Sequence, residues 1–376
     1  MQGHLTRLTL VGLVAVMLVF IPEGQARADA AAEAANWLNS IGLKYRRKPY
    51  DAEAVAKVTS LGLRSAKPFD AADMKHLKAL PKLVKLDLRD KKFGDKELAM
   101  AAQLTQLTAL WLGEASITDK GLAKIVSLQK LKTLSINGSK VSGAAMVHVA
   151  KLKNLEFLQL GNTSIGDAGL EHLKTMPKLE RLYLAKVKGI TAKGLAAVAA
   201  MPRLERVALE FLPINTEVGA LAASKSLRAI NLMRTKFDDA GAKELAKVKT
   251  LQVVTVWHTG ITDQGVAALA KLPKLKKLTI AYTKITDAAL KAVAGAKNLQ
   301  SLEISSTAIG DAGIAHLGGH PKLKRLFASR TRITDASLAV LAKMLKLSQA
   351  EMRGTKVTKE GLADLKTKRP KLRTRR

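Results

Sequence analysis

Few residues in this chain have types and spacing suited to chemistry, and those few recur at fixed intervals. Asp95, Asp119, Asp167, Asp239, Asp263, Asp287, Asp311 and Asp335 form one column. Calcium would require several oxygens converging from a single loop. One carboxylate per interval, just after Thr or Gly, instead suits the first turn of a helix, where free N–H groups favour negative charge. His76, His148, His172 and His316 share another position. His148 and His172 would stack as a metal ladder, but a repeated surface residue accounts for all four at once. No Gly-rich phosphate loop, Ser-His-Asp grouping or His-Glu-x-x-His spacing stands out. The chain is therefore read as non-enzymatic, with no metal and no cofactor.

The interval itself carries more information. From residue 58 the sequence repeats about every 24 residues, with copies opening at Val58, Leu83, Leu107, Leu131, Leu155, Leu179, Leu204, Leu227, Leu251, Leu275, Leu299, Leu323 and Leu347 and a stub at Leu372. Counting each opening residue as slot 1, Leu fills slots 1, 4 and 6 and exposed types fill 3, 5 and 7, the alternation of a half-buried strand. Slot 9 is Thr in seven copies, from Thr163 and Thr235 to Thr355. There the chain leaves the strand, and a hydroxyl stacked copy on copy can satisfy buried backbone groups. Slot 11 is apolar again, as in Ile117, Ile165, Ile261 and Ile333. A Thr-Asp or Gly-Asp helix start follows, then Leu and Ala three and four apart. Gly121, Gly169, Gly194, Gly241, Gly265, Gly313 and Gly361 fall in the first helical turn. Each costs about 1 kcal/mol against Ala, which implies a close approach of helix to strand. Units this small must stack to bury their apolar faces. The expected fold is an α/β solenoid, a right-handed horseshoe with parallel strands on the concave face and helices on the convex face.

The pattern resembles the leucine-rich-repeat family over residues 58 to 372. It is most similar to exported bacterial members and to the cysteine-containing repeats of F-box substrate receptors, whose consensus matches Ile261-Thr262-Asp263-Gln264-Gly265-Val266. This chain has Thr where the latter place Cys, and no room for an F-box. The resemblance implies a curved scaffold that usually binds proteins.

Which residues would do the binding follows from the slots. Phe69, Phe93 and Phe237 occupy the apolar slot after the loop and belong to the core. The other aromatics of the array fall on outward slots 3, 5, 7 or 8: Phe157, Trp111, Tyr183, Phe327, Trp257, Phe211 and Tyr282. Those slots are assigned to the concave face, where apolar area has no core to fill and suits binding anchors, although such side chains also serve to shield strand ends from water. The densest set is Met233, Arg234, Trp257, His258 and Tyr282 at slots 7 and 8 of consecutive copies, flanked by Phe211 and Arg330. The copy from Leu179 has 25 residues, with the extra one near Lys188-Gly189, and the copy from Leu204 has 23 and carries Pro213. This irregularity either re-aims the face or is neutral.

The termini and the charge complete the sequence reading. Arg7, the apolar run Leu8–Phe20 and Ala26-Arg27-Ala28 fit a secretory signal over 1–28; an uncleaved anchor is the alternative, although the run is short for the roughly 30 Å hydrocarbon core. Residues 29–57 read as a helical cap, with a helix Ala31–Leu43 presenting Ala34, Trp37, Leu38 and Ile41 and ending at Gly42. Residues 58–371 are the repeats, and the tail 366–376 holds seven basic residues among eleven, which blunts a strand edge. There is no Cys, so no disulfide. The net charge of +32 attracts anionic partners. The first expectation is thus an exported scaffold, periplasmic or extracellular, that binds a protein through its concave face. The second is an envelope structural protein held to anionic glycan or lipid by charge. Nucleic acid is an unlikely physiological partner for an exported chain.

Overall fold

Leu at slot 4 between outward-facing slots 3 and 5 produces a very short strand in every coil. The computed structural model describes residues 23–63, 66, 72–89 and 93–376. Among them, fourteen parallel strands of three residues each form one sheet in unbroken chain order, from Ser60–Gly62 to Arg373–Arg375. Each strand covers slots 3 to 5, as in Val253–Thr255 and Lys277–Thr279. Pairing is slot to slot, so Val254, Leu278, Leu302 and Leu326 stack in one buried row. Burying one such side chain contributes about 1.5–3 kcal/mol, and the row exists only between coils. A short helix closes the other side of most coils, for example Asp263–Ala270. The architecture is the α/β horseshoe the repeat implies, around an almost wholly aliphatic core.

The slot-9 hydroxyls act within their own coil. Thr163, Thr235, Thr259, Thr283, Thr307, Thr331 and Thr355 each donate to the slot-6 carbonyl three residues back, at 2.6–2.7 Å. They cap the strand exit and do not bridge copies.

The aspartates are the bridging groups. All eight accept hydrogen bonds from the helix-start residue of the following coil. Asp263 takes Thr286 N–H at 2.7 Å and its hydroxyl at 2.6 Å; Asp239 takes the N–H groups of Thr262 and Gly265 at 2.8 and 2.9 Å. The same residue thus complements its own helix and staples the next one. For five of the seven first-turn glycines this corrects the reading as a helix-on-strand contact; Gly169 instead abuts Ile165, Met146 and Gly143, and Gly241 abuts Asn215 and Phe237. A Cβ on Gly361 would meet the Asp335 carboxylate at 2.5 Å, and one on Gly121, Gly194, Gly265 or Gly313 would likewise fall on the preceding coil's Asp. Ser337 occupies the same place in its coil and donates its hydroxyl to Asp311. Burial alone would raise the Asp311 pKa, but hydrogen bonds from Ser337 and Thr334 outweigh it and hold the carboxyl below the ordinary Asp range.

The two irregular coils leave the sheet untouched. Arg181, Arg206 and Ala229 remain in register across them. The extra residue is absorbed in the turn, where Gly189 (φ +73°) and Gly166 (φ +53°) face each other and Asp167 N–H donates to the Gly189 carbonyl at 3.0 Å. Left-handed backbone of this kind is where glycine is favoured. In the Leu204 coil a 3-10 helix, Thr216–Ala223, replaces the α-helix.

Each end of the array carries its own packing contacts. The expected first helix runs Glu23–Ser40, starting earlier than Ala31 because Ala-rich sequence favours helix throughout. It ends at Gly42 (φ +81°), with Leu43 N–H returning to the Leu38 carbonyl at 3.0 Å. Ala34, Trp37, Leu38 and Ile41 are buried against the first coils, and the Trp37 ring stacks on His76 at 5.6 Å. The apolar run Leu8–Phe20 and Phe69 lie outside the described residues; Phe93 and Phe237 are core. No helix among the described residues is long and apolar enough to cross a membrane. At the other end Arg369 turns inward, its guanidinium donating to the carbonyls of Leu341, Ala342, Met344, Leu345 and Leu347. It satisfies the end of the preceding helix, Asp335–Lys343, in addition to carrying charge.

Gly361→Ala should lower stability by about 1–3 kcal/mol in urea unfolding despite the better helix propensity of Ala. Adding Asp335→Ala should recover most of the loss caused by the clash. Additive effects of the two changes would show that the staple does not set the glycine.

Candidate functional site

Slot 8 is where the backbone is least ordinary. In every coil from Leu107 to Leu347 this residue has positive φ, running Glu114, Gly138, Asn162, Lys186, Phe211, Arg234, His258, Tyr282, Ser306, Arg330 and Gly354. The left-handed turn lets its N–H reach the slot-7 carbonyl of the next coil: Phe211 to Met233 at 3.0 Å, Arg234 to Trp257, His258 to Ala281 both at 3.1 Å, and Tyr282 to Ser305 at 3.0 Å. Glycine or Asn suits such a position, and a bulky residue there costs about 1–2 kcal/mol. Only Gly138, Asn162 and Gly354 follow that preference. The run from Lys186 to Arg330 does not, and strain held in place by surrounding structure concentrates at functional positions.

The large side chains of this run touch one another. Lys186 Nζ lies 4.9 Å above the Phe211 ring, and the Arg234 guanidinium is 5.7 Å from Phe211 and 5.4 Å from Trp257. Trp257 meets Tyr282 edge-on at 5.0 Å and His258 at 5.7 Å, with His258 to Tyr282 at 6.5 Å. Arg330 Nη1 donates to the Tyr282 hydroxyl at 3.4 Å. Alternating cations and rings of this kind hold each other at roughly 0.5–1 kcal/mol per pair. Phe211 is 38% and Tyr282 41% exposed, Arg234 and His258 are exposed, and Trp257 is half-buried. Met233 takes part through its main chain: its N–H donates to Asn231 Oδ1 at 3.1 Å and its carbonyl accepts from Phe211.

Of the residues singled out in the sequence, Phe211, Arg234, Trp257, His258, Tyr282 and Arg330 thus form one chain of contacts, in a different place from the one expected. The strands end at slot 5, so slots 7 and 8 lie in the turn beyond them, along the rim at the C-terminal ends of the strands and not on the strand surface itself. Trp111, Phe157, Tyr183 and Phe327 do lie in strands, and Phe157 packs on Tyr183 at 5.1 Å under the Arg181 guanidinium at 4.9 Å. Lys186 and Glu210 went unnoticed in the sequence. The slot count alone places Lys186 beside Phe211. Nothing in the pattern marks Glu210, whose Oε1 accepts from Asn231 Nδ2 at 2.5 Å while its Oε2 is buried without a partner. Its burial raises the pKa.

Other displaced titrations lie elsewhere. Burial raises Glu303 on its strand. It lowers His320, which is buried in the turn before the Arg325–Phe327 strand with Nε2 3.1 Å from the Ala296 carbonyl. Among the described residues no group of three or more His, Cys, Asp or Glu is placed to hold a metal.

The repeats have relatives. A family profile described as Leucine Rich repeat matches residues 223–246 and 295–318. An internalin (inlF) from Listeria monocytogenes strain 4b F2365 superposes with a TM-score of 0.61 at 22% identity, covering 92% of this chain and 94% of the internalin. A leucine-rich-repeat protein of Leptospira interrogans gives a TM-score of 0.42 at 19% identity, over 86% of this chain and 96% of its own. A comparison with curated protein sequences found no match. Leucine-rich-repeat sequence is thus matched over those two stretches, and the fold is that of a leucine-rich-repeat solenoid.

Because folding raises the Glu210 pKa, its contribution to stability is present below the ordinary Glu value and lost as pH rises through the folded one. Glu210→Gln should therefore be more stable than the parent at neutral pH, with the difference closing in mild acid, as read from urea midpoints across pH. A constant difference would place Glu210 in solvent. Ser306→Gly should stabilise by about 0.5–1 kcal/mol by relieving the left-handed backbone, which thermal unfolding would register. A loss of stability would contradict strain at slot 8.

Proposed function

We propose that this protein is a non-catalytic, exported scaffold that binds a protein partner along the rim of its concave side, with Phe211, Trp257 and Tyr282 as anchors and Arg234, His258 and Arg330 as their polar surround. The observation that carries this reading is the stacked, part-exposed ring set in which Phe211, His258 and Tyr282 stand at strained slot-8 positions around Trp257 at slot 7. Evolution of a core would gain nothing from rings outside it, and pre-arranged aromatic and Arg side chains are what dominate protein interfaces. Rigid backbone below them lowers the ordering cost of association. Export rests on the basic, apolar and small-residue order of the first 28 residues, and the compartment outside the cytoplasm is left as periplasm or exterior.

Charge supports a second reading, attachment to an anionic envelope polymer. Of the +32 net charge, much is Lys in turns on the helix side, such as Lys271 and Lys274, which are exposed. Such association is screened by salt, with a Debye length near 8 Å at physiological ionic strength.

The Trp257→Ala/Tyr282→Ala variant tests the first reading. Capture of a partner from envelope extract of the native host should fall at least about tenfold, as expected when two hot-spot rings are removed, while the variant's unfolding midpoint stays near the parent's. Capture that survives the double change but vanishes between low and moderate salt would favour the polymer reading instead.

A further inference from the structure

The rim that carries the rings also carries positive charge, which no carboxylate offsets over the last six coils. In slots 7 to 10 of the coils from Leu227 to Leu347 there are seven Lys or Arg residues and no carboxylate. None of the seven makes an ion pair among the described residues. The same slots in the Leu107, Leu131 and Leu155 coils hold one Glu and one Lys.

Over the five coils from Leu227 to Leu323, slot 10 alternates as Lys236, Gly260, Lys284, Ala308 and Arg332, the three cations exposed, and Lys356 follows Arg332 directly in the Leu347 coil. At Gly260, Ala308 and Arg332 the slot-10 N–H donates to the slot-11 carbonyl of the coil before, to Phe237 at 2.9 Å, Ile285 at 3.3 Å and Ile309 at 2.8 Å. With coils about 4.8 Å apart, cations stand about 9.6 Å apart. Between Lys236 and Lys284 sits the Leu251 coil, with the small, exposed Gly260 at slot 10 and the half-buried Trp257 and exposed His258 at slots 7 and 8.

A polyproline-II strand advances about 3.1 Å per residue and returns to the same face every third residue, about 9.3 Å on. Carboxylates at every third position of such a segment meet Lys236, Lys284 and Arg332 in turn, drifting by only a few tenths of an ångström per step. The residues between them fall on Trp257 and Tyr282, and aromatic surfaces are the usual seat for this conformation, whose ordering cost is low.

We infer that the partner element recognised by this rim is an extended acidic segment of a protein, in polyproline-II conformation with a carboxylate at every third residue. The inference rests on the protein-binding reading above and specifies its ligand. Lys236, Lys284 and Arg332 fix the segment's register, and Trp257 and Tyr282 hold its intervening apolar residues.

Fluorescence anisotropy with the full chain tests it, using three labelled probes: a peptide of five Glu-Pro-Pro repeats, a peptide of identical composition with its Glu residues grouped at one end, and oligogalacturonate as an anionic glycan. The regularly spaced peptide should bind about tenfold more tightly than the grouped one. Lys236→Ala/Lys284→Ala/Arg332→Ala should remove about tenfold of that affinity, while Lys130→Ala/Lys225→Ala/Lys274→Ala, equal in charge and placed in turns ahead of the strands, should change it less than about twofold. Equal binding of all three probes, weakened alike by both triple variants, would mean diffuse attraction and overturn the inference. So would failure of every peptide while Trp257→Ala/Tyr282→Ala still abolishes protein capture, an outcome that leaves the broader function standing.

Discussion

A coil of about 24 residues cannot enclose its own apolar side chains, so the burial that stabilises this protein has to pass from one coil to the next. Three sets of links do this at different depths. Slot-4 side chains stack in the core, as Leu278 does on Leu302. Helix-start carboxylates hold the following coil's Thr or Gly, as Asp263 holds Thr286. At the rim, slot-8 N–H groups reach forward to slot-7 carbonyls. The third link is the demanding one, since it fixes one left-handed residue per coil and so dictates where a side chain must leave the surface.

That constraint connects fold to function. A residue forced into left-handed backbone is aimed by the main chain, and its direction repeats from coil to coil. Phe211, Arg234, His258 and Tyr282 therefore stand in a row at the sheet's edge, close enough for rings and cations to rest on one another. A surface loop of the same composition would have to order these side chains on binding. Here the ordering is already done by the fold, at the expense of local strain.

Much of this was legible in the sequence, because period-2 alternation and apolar spacing are consequences of burial and burial dominates a solenoid. The strand row, the helix starts and the grouping of Trp257 with Tyr282 follow from counting slots, and the burial of Trp37 follows from helix periodicity ahead of them. What the count could not supply was which groups meet across coils. The first-turn glycines looked like helix-on-strand packing, yet at five of the seven the crowding atom is an Asp carboxylate from the coil before. Arg369 looked like tail charge and is a ligand for five carbonyls. The rim position of slots 7 and 8 was hidden too, since the Leu pattern does not say that the strand stops at slot 5. Each of these depends on contacts about one coil apart, to which a repeat read one copy at a time is blind.

The most direct test of the account is native-state hydrogen exchange at the slot-8 amides of the Leu204 to Leu275 coils. If these N–H groups are locked to the next coil, Phe211, Arg234, His258 and Tyr282 should exchange only by openings close in free energy to those of their own strands. Fast exchange there, with the strands still protected, would mean that the rim is a loose fringe and that its rings are not pre-arranged to bind anything.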